Sequence, residues 1–148
     1  MAIEVYSTDA DLVKIRSNIL LLGETSWEEK HKEAFSIINR VIIGRWYQKA
    51  AAEYSIDWRQ TEFSPDLVET GTLTMLSSYK TLELIYLLLM KDSPQEDAFE
   101  RQHHLFRRLY REEMNEVLAI GISYDWDGDG EIVAEEHYQR VSRTLVRI

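Results

Sequence analysis

Apolar residues recur every three or four positions over most of this chain, which is the spacing of amphipathic α-helices. The clearest series covers residues 26–54, where Ile38, Ile42 and Trp46 fall on one helical face. Similar series cover residues 8–22, 65–91 and 94–120. The pattern therefore predicts a mainly α protein, built as a four-helix bundle-like domain with a longer polar connection before the third helix.

Helix-end signals agree with this division of the chain. Ser-Pro pairs stand at positions 64–65 and 93–94. Serine caps a helix start well, and a proline in the first turn gives up an N–H that would lack a partner. Ser26 with Glu29 forms a capping-box pattern, as Ser93 does with the glutamate three residues later. Gly23 and Gly121 read as helix stops.

The segment DWDGDGEIVAEE follows the last predicted helix and fits the twelve-position calcium loop. Gly130 occupies position 6, where the loop turns sharply. The positions that supply ligands hold suitable residues: Asp125, Asp127, Asp129, Glu131 through its backbone carbonyl, and Glu136. Calcium prefers oxygen ligands of this kind, so the spacing predicts a calcium site.

The frame around this loop is atypical. A helix normally runs directly into position 1, yet Gly121 interrupts the chain four residues earlier. Val133 at position 9 has no side-chain ligand, while the apolar Ile132 at position 8 could anchor the loop to a core. A solvated acidic turn that binds no metal is the alternative interpretation.

Composition narrows the classes of protein. A chain of 148 residues without cysteine predicts one domain with neither disulfides nor thiolate metal sites, and no signal peptide is visible. The longest apolar run, residues 82–90, is shorter than the ~20 residues of a membrane span. A net charge of −9 disfavours an extensive nucleic-acid-binding surface. We therefore expect assembly in a cytoplasm and no membrane partner.

The last residues differ from the acidic body. Arg140, Arg143 and Arg147 occur after Glu136 without any acidic residue between them. Alternating side chains in RTLVRI favour an extended, partner-binding arm, although a helix would also fit the apolar spacing. The arginines could equally offset the neighbouring carboxylates. The predicted organisation is a helical domain (residues 1–122), an acidic loop (123–136) and a basic arm (137–148).

Four segments together resemble the small helical head–tail connector proteins, also called adaptor or head-completion proteins, of tailed bacteriophages. They are VYSTDADLVKIR, KEAFSIINRVIIGRWY, SPDLVETGTLTMLSSYKTLELIY and FRRLYREEMNEVLAIGI, and they span residues 5–122. The resemblance implies a structural virion neck protein, commonly a twelve-fold ring, beneath the portal protein. Its arm would reach the next neck or tail protein, and DNA would only pass through the channel. The calcium loop departs from that family.

Two other functions stay open. A single-loop calcium-binding regulatory protein would account for the acidic segment. A helical di-iron protein would use two Glu-x-x-His pairs, Glu28 with His31 and Glu100 with His103. Further carboxylates from the bundle could complete that site: Glu69, Glu83 or Glu113. We expect no enzyme, because the sequence lacks cysteine, a nucleophile elbow and a phosphate-binding glycine loop.

Overall fold

The predicted mainly α-helical, bundle-like fold is confirmed. The computed structural model describes residues 2–92, 97–133 and 136. Its α-helices are α1 (Asp9–Ile15), α2 (Glu28–Ile42), α3 (Gln48–Glu53), α4 (Thr74–Asp92) and α5 (Asp97–Ile120). Short 3₁₀ turns occupy Ile19–Leu21 and Pro65–Leu67, and a π-helical segment occupies Ile43–Tyr47.

The first helix is shorter than the sequence predicts. It begins with a capping box, in which the Thr8 amide donates to the Asp11 carboxylate at 2.8 Å. It ends at Ile15 because Arg16 is extended, with φ −134° and ψ 96°. The Arg16 guanidinium donates twice to the Gln102 side-chain oxygen on α5, at 2.9 and 2.7 Å. The prediction of a continuous helix over residues 8–22 was therefore wrong.

The second helical unit runs unbroken from Glu28 to Glu53, but Trp27 rather than Ser26 is its N-cap residue. Its centre, Ile43–Tyr47, is π-helical. A π turn places residues five apart on one face, so Ile42 and Tyr47 both enter the core beside Trp46. The wider turn explains how two consecutive bulky aromatic residues are both buried.

The third predicted helix begins at Thr74, nine residues after Pro65. The Ser-Pro signal is used, but only for the short 3₁₀ turn Pro65–Leu67. The chain then becomes extended at Val68, which forms an antiparallel bridge with Tyr124. Gly71 follows with a φ of +89°, a conformation that glycine adopts without strain. Pairing with a segment over fifty residues away thus overrides the local helix signal.

Helix α5 ends where the sequence predicts. Gly121 has a φ of +101°, and its amide donates to the Val117 carbonyl at 2.9 Å. The predicted start at residue 94 and the Ser93 capping pair lie outside the described residues. The predicted basic arm, residues 137–148 with its three arginines, also lies outside them.

Helix α4 is central: it packs against α5, α2 and α1. One hydrophobic cluster surrounds Trp46, Tyr47 and Tyr124, and a second surrounds Trp27, Tyr86 and Phe106. Within the described residues, none of the helices combines the length and apolar composition that crossing a bilayer requires.

Candidate functional site

The acidic loop begins on a segment that is fixed to the helical body. Ile122 and Tyr124 are buried in the first hydrophobic cluster. Tyr124 pairs with Val68 in the antiparallel bridge, and the Asp125 amide donates to the Leu67 carbonyl at 2.9 Å. The first calcium-loop position is therefore held by backbone pairing, where a typical calcium-binding loop has an entering helix.

Asp125, at loop position 1, is 6% exposed and is oriented by backbone amides. Its two carboxylate oxygens accept hydrogen bonds from Gly128 at 3.1 Å and Gly130 at 2.8 Å. Burial alone would raise the pKa of Asp125, but the Gly130 and Gly128 amides and the contact with Asp127 outweigh burial and lower it. The lowered pKa favours the charged carboxylate, which is the form that a metal ion would require.

Glu136, at loop position 12, lies back across the start of the loop. One oxygen of its carboxylate accepts from the Trp126 amide at 2.5 Å, and the other accepts from Val133 at 3.1 Å. Its own carbonyl accepts from the Tyr124 amide at 3.1 Å. The residue is 3% exposed. These bonds close the twelve-residue loop on itself and place both of its end carboxylates inside.

Oxygen atoms of Asp125, Asp127 and Glu136 all lie within 4.8 Å of one another. Two ligands of one calcium ion, each at about 2.4 Å, stand no more than about 4.8 Å apart, so the three fit a shared ion. Hydrogen bonding to Asp125 is the main cause that raises the pKa of Asp127. A cation would relieve this crowding of carboxyl groups.

The other two predicted ligand residues lie further out. Asp129 and Glu131 are exposed. The Asp129 carboxylate accepts from the Glu131 amide at 2.9 Å, which stabilises the turn. Asp129 is not in the group of converging oxygens, and Glu131 has only its backbone carbonyl to offer at position 7. The structure therefore brings three of the five predicted residues together through their side chains.

An aromatic cluster fixes the loop to the body. The Trp126 ring stacks on Tyr54, with ring centroids 4.9 Å apart, and on Tyr47 at 5.8 Å. It also meets Tyr124 edge-on at 4.5 Å. Sequence reasoning did not assign Trp126 this role. The alternation of Ile122, Tyr124 and Trp126 was the available signal, because a period of two indicates an extended, half-buried segment.

A second polar group surrounds His31 on α2. The Ser7 hydroxyl lies 2.7 Å from His31 Nδ1, and Asp9 Oδ1 lies 3.1 Å from Nε2. The carboxylate can only accept, so Nε2 carries the proton and Nδ1 accepts from Ser7. These are the residue types of a catalytic triad, but Ser7 is 2% exposed and also bonds Ser77. The group is a buried hydrogen-bond network, to which a substrate has no access.

The two Glu-x-x-His pairs do not meet. Both ring nitrogens of His31 are already engaged, and Glu28 is exposed, 3.7 Å from Lys32. His103 Nδ1 donates to the Glu83 carbonyl at 3.0 Å, and Glu100 is exposed. Across the described part of the chain, the only group of three or more ligand residues is the one in the acidic loop. The described residues therefore contain no assembled ligand set for a di-iron site.

No protein-family model, curated protein or solved structure matches this chain. Its function must therefore be inferred from the residues and their geometry.

Proposed function

We propose that the chain is a structural head–tail connector of a tailed bacteriophage, which forms a ring in the virion neck and carries one structural calcium site. The connector part rests on the resemblance of residues 5–122, and the mainly helical domain agrees with the fold that this resemblance implies. The calcium part rests on one observation, the convergence of Asp125, Asp127 and Glu136 oxygens within 4.8 Å.

The geometry around the loop favours a static calcium site over a regulatory one. Sensor loops act by changing the angle between two helices that flank the ion. Here the segment before the loop is extended and bonded to residues 67 and 68, and Trp126 stacks on the helical body. A bound cation would neutralise the clustered carboxylates and hold residues 125–136 in one conformation. The direction of the following residues would then be fixed.

In this proposal the ring stands between the portal protein and the next neck or tail protein. The basic arm, with Arg140, Arg143 and Arg147, reaches a neighbour. DNA passes through the channel without a dedicated binding site, since the chain has 26 acidic residues against 17 basic ones. Such a protein has no substrate, in line with the expectation that it is not an enzyme.

Light scattering coupled to size-exclusion chromatography, with and without the portal protein, tests this proposal. We expect a closed oligomer, with a mass of about 209 kDa for twelve chains of 17.4 kDa. A protein that stays monomeric under both conditions would contradict the connector function. A monomer whose hydrodynamic radius changes on adding calcium would instead favour the single-loop regulatory protein.

A further inference from the structure

A cavity of about 420 Å³ lies among residues of α2, the π-helical segment, α4 and α5. Four basic side chains line it: Arg45, Lys80, Arg107 and Arg111. Glu83 is its one acidic residue. In a chain with a net charge of −9, this concentration of positive charge is a local exception. Its volume falls within the range of small-molecule sites.

The three arginines are not neutralised by neighbours. Arg45, Arg107 and Arg111 are exposed, and within the described residues no carboxylate lies within 4.0 Å of them. By contrast, Arg108, which lies on α5 with Arg107 and Arg111, stands 3.9 Å from Glu112. The guanidinium groups at the cavity therefore keep their hydrogen-bond donors for another acceptor, and guanidinium matches the geometry of phosphate.

A tyrosine and a lysine also line the cavity. Tyr110 lines it, and its buried hydroxyl has no hydrogen-bond partner among the described residues. Burial raises the pKa of Tyr110 to about 12, so the hydroxyl keeps its proton at neutral pH. The Lys80 ammonium group lies 4.5 Å from the centre of the Tyr110 ring. Lys80 thus lies against the Tyr110 ring and adds a fourth cationic donor to the lining of the cavity.

The cavity also contains acceptors. Glu83 is 6% exposed, and one of its oxygens is bound to Lys80 at 2.6 Å. His103 is 8% exposed, and its Nδ1 donates to the Glu83 carbonyl at 3.0 Å. In the neutral ring, Nε2 is then an acceptor. A fully deprotonated oxyanion such as sulfate has no hydrogen-bond donor for these two acceptors, whereas hydrogen phosphate can donate one hydrogen bond from its P–O–H group to either.

We propose that this cavity is a binding site for a phosphate-class oxyanion. Arg45, Arg107 and Arg111 contact its charged oxygens, with Lys80 as a further donor. Glu83 or His103 accepts a hydrogen bond from the P–O–H group of the bound hydrogen phosphate. The site is independent of the acidic loop and of the connector function.

Isothermal titration calorimetry of the full chain at pH 7 tests the proposal, with inorganic phosphate, glycerol phosphate and sulfate as separate probes. We expect phosphate to bind more tightly than sulfate. Glycerol phosphate distinguishes a site for the free anion from one that accepts a phosphate group on a larger molecule. The variant Arg107→Gln/Arg111→Gln should weaken phosphate binding about tenfold or more, because two charge-assisted contacts are lost.

The matched control is Arg101→Gln/Arg108→Gln, which removes the same charge from α5 at exposed residues that do not line the cavity. This control should change the affinity for phosphate by no more than about twofold, because salt screens charges that lie far from the site. The circular dichroism spectrum should stay unchanged in both variants. An absence of phosphate binding, equal binding of sulfate, or an equal loss in the control would overturn the proposal. So would an unchanged affinity in Arg107→Gln/Arg111→Gln alongside an altered oligomer mass, since the cavity would then be a protein interface.

Discussion

At the residue scale, backbone amides orient the acidic loop's two end carboxylates. Asp125 accepts from two glycine amides, and Glu136 accepts from Trp126 and Val133. Both residues are buried, so their side chains have few alternative positions. A site held this way loses little conformational freedom when an ion binds. The side chain of Glu131, by contrast, is exposed and takes no part in this arrangement.

This difference predicts how calcium binding responds to mutation. Asp125→Ala with Glu136→Gln should weaken calcium binding by a factor of about 100 or more, because it removes two charged ligands. The control Glu131→Gln should change the calcium affinity by no more than about threefold, because position 7 would bind the ion through its backbone carbonyl. Titration calorimetry measures both. If the unaltered chain gives no calcium-dependent heat, either as a monomer or as an assembled oligomer, the prediction of a calcium site is wrong.

The buried His31 network predicts a pH dependence of stability. Burial lowers the pKa of His31 from its ordinary value of 6.5, although the hydrogen bond and charge of Asp9 partly oppose this. Above pH 6.5 the ring is neutral in both the folded and the unfolded chain, so its contribution is fully present. Below pH 6.5 the unfolded chain takes up a proton more readily, so the free energy of unfolding falls, by at most about 1.4 kcal/mol per pH unit.

Urea denaturation between pH 5 and 8 measures this contribution. The variant His31→Gln should show a shallower decline below pH 6.5 than the unaltered chain, whatever its absolute stability. His104→Gln is the control, because His104 is exposed and lies outside the network, so the contribution of His31 should remain. Parallel curves for the unaltered chain and His31→Gln would show that the network does not exclude the proton.

At the element scale, local patterns predicted helices more accurately than their boundaries. The end of α5 at Gly121 followed from one residue and was predicted correctly. The start of α4 was predicted incorrectly, because Val68 pairs with Tyr124. A local sequence pattern contains no information about a partner so distant in sequence. Likewise, spacing alone indicated the candidate metal ligands of the loop. Its anchoring by Tyr47 and Tyr54 depends on residues over seventy positions earlier.

The turn at Gly121 predicts a contrast between two glycines. Gly121→Ala should lower the free energy of unfolding by about 1–2 kcal/mol, because a residue with a Cβ is strained at positive φ. Gly44→Ala, in the π-helical segment, should be neutral or raise it by about 0.5–1 kcal/mol, since helical glycine is entropically unfavourable. A Cβ at Gly44 would meet no atom within 4 Å. Chemical denaturation compares the two, and equal effects would mean that the turn is not strained by a side chain.

At the scale of the whole molecule, we expect the helical body to fold independently and the C-terminal arm to hold the ring together. The described residues already contain two hydrophobic clusters, the central helix α4 and a loop that closes at Glu136. We therefore expect this body to fold without the basic arm. The arm, residues 137–148, carries three arginines and no acid. In the extended conformation that the sequence predicts, the arm could not satisfy its own backbone amides, which would suit pairing with a neighbouring chain.

Truncation after Glu136 should therefore leave the helical circular dichroism spectrum and the unfolding transition intact, while light scattering should no longer detect the proposed oligomer. Replacing Arg140, Arg143 and Arg147 with glutamate should weaken assembly more at low salt than at high salt, because exposed charges are screened over about 10 Å at 0.1 M. Lys14→Glu with Lys49→Glu is a charge control outside the arm and should have less effect. If the truncated chain unfolds, the last residues belong to the core. If it folds and still assembles, the helical body alone holds the ring together, and the arm has no part in it.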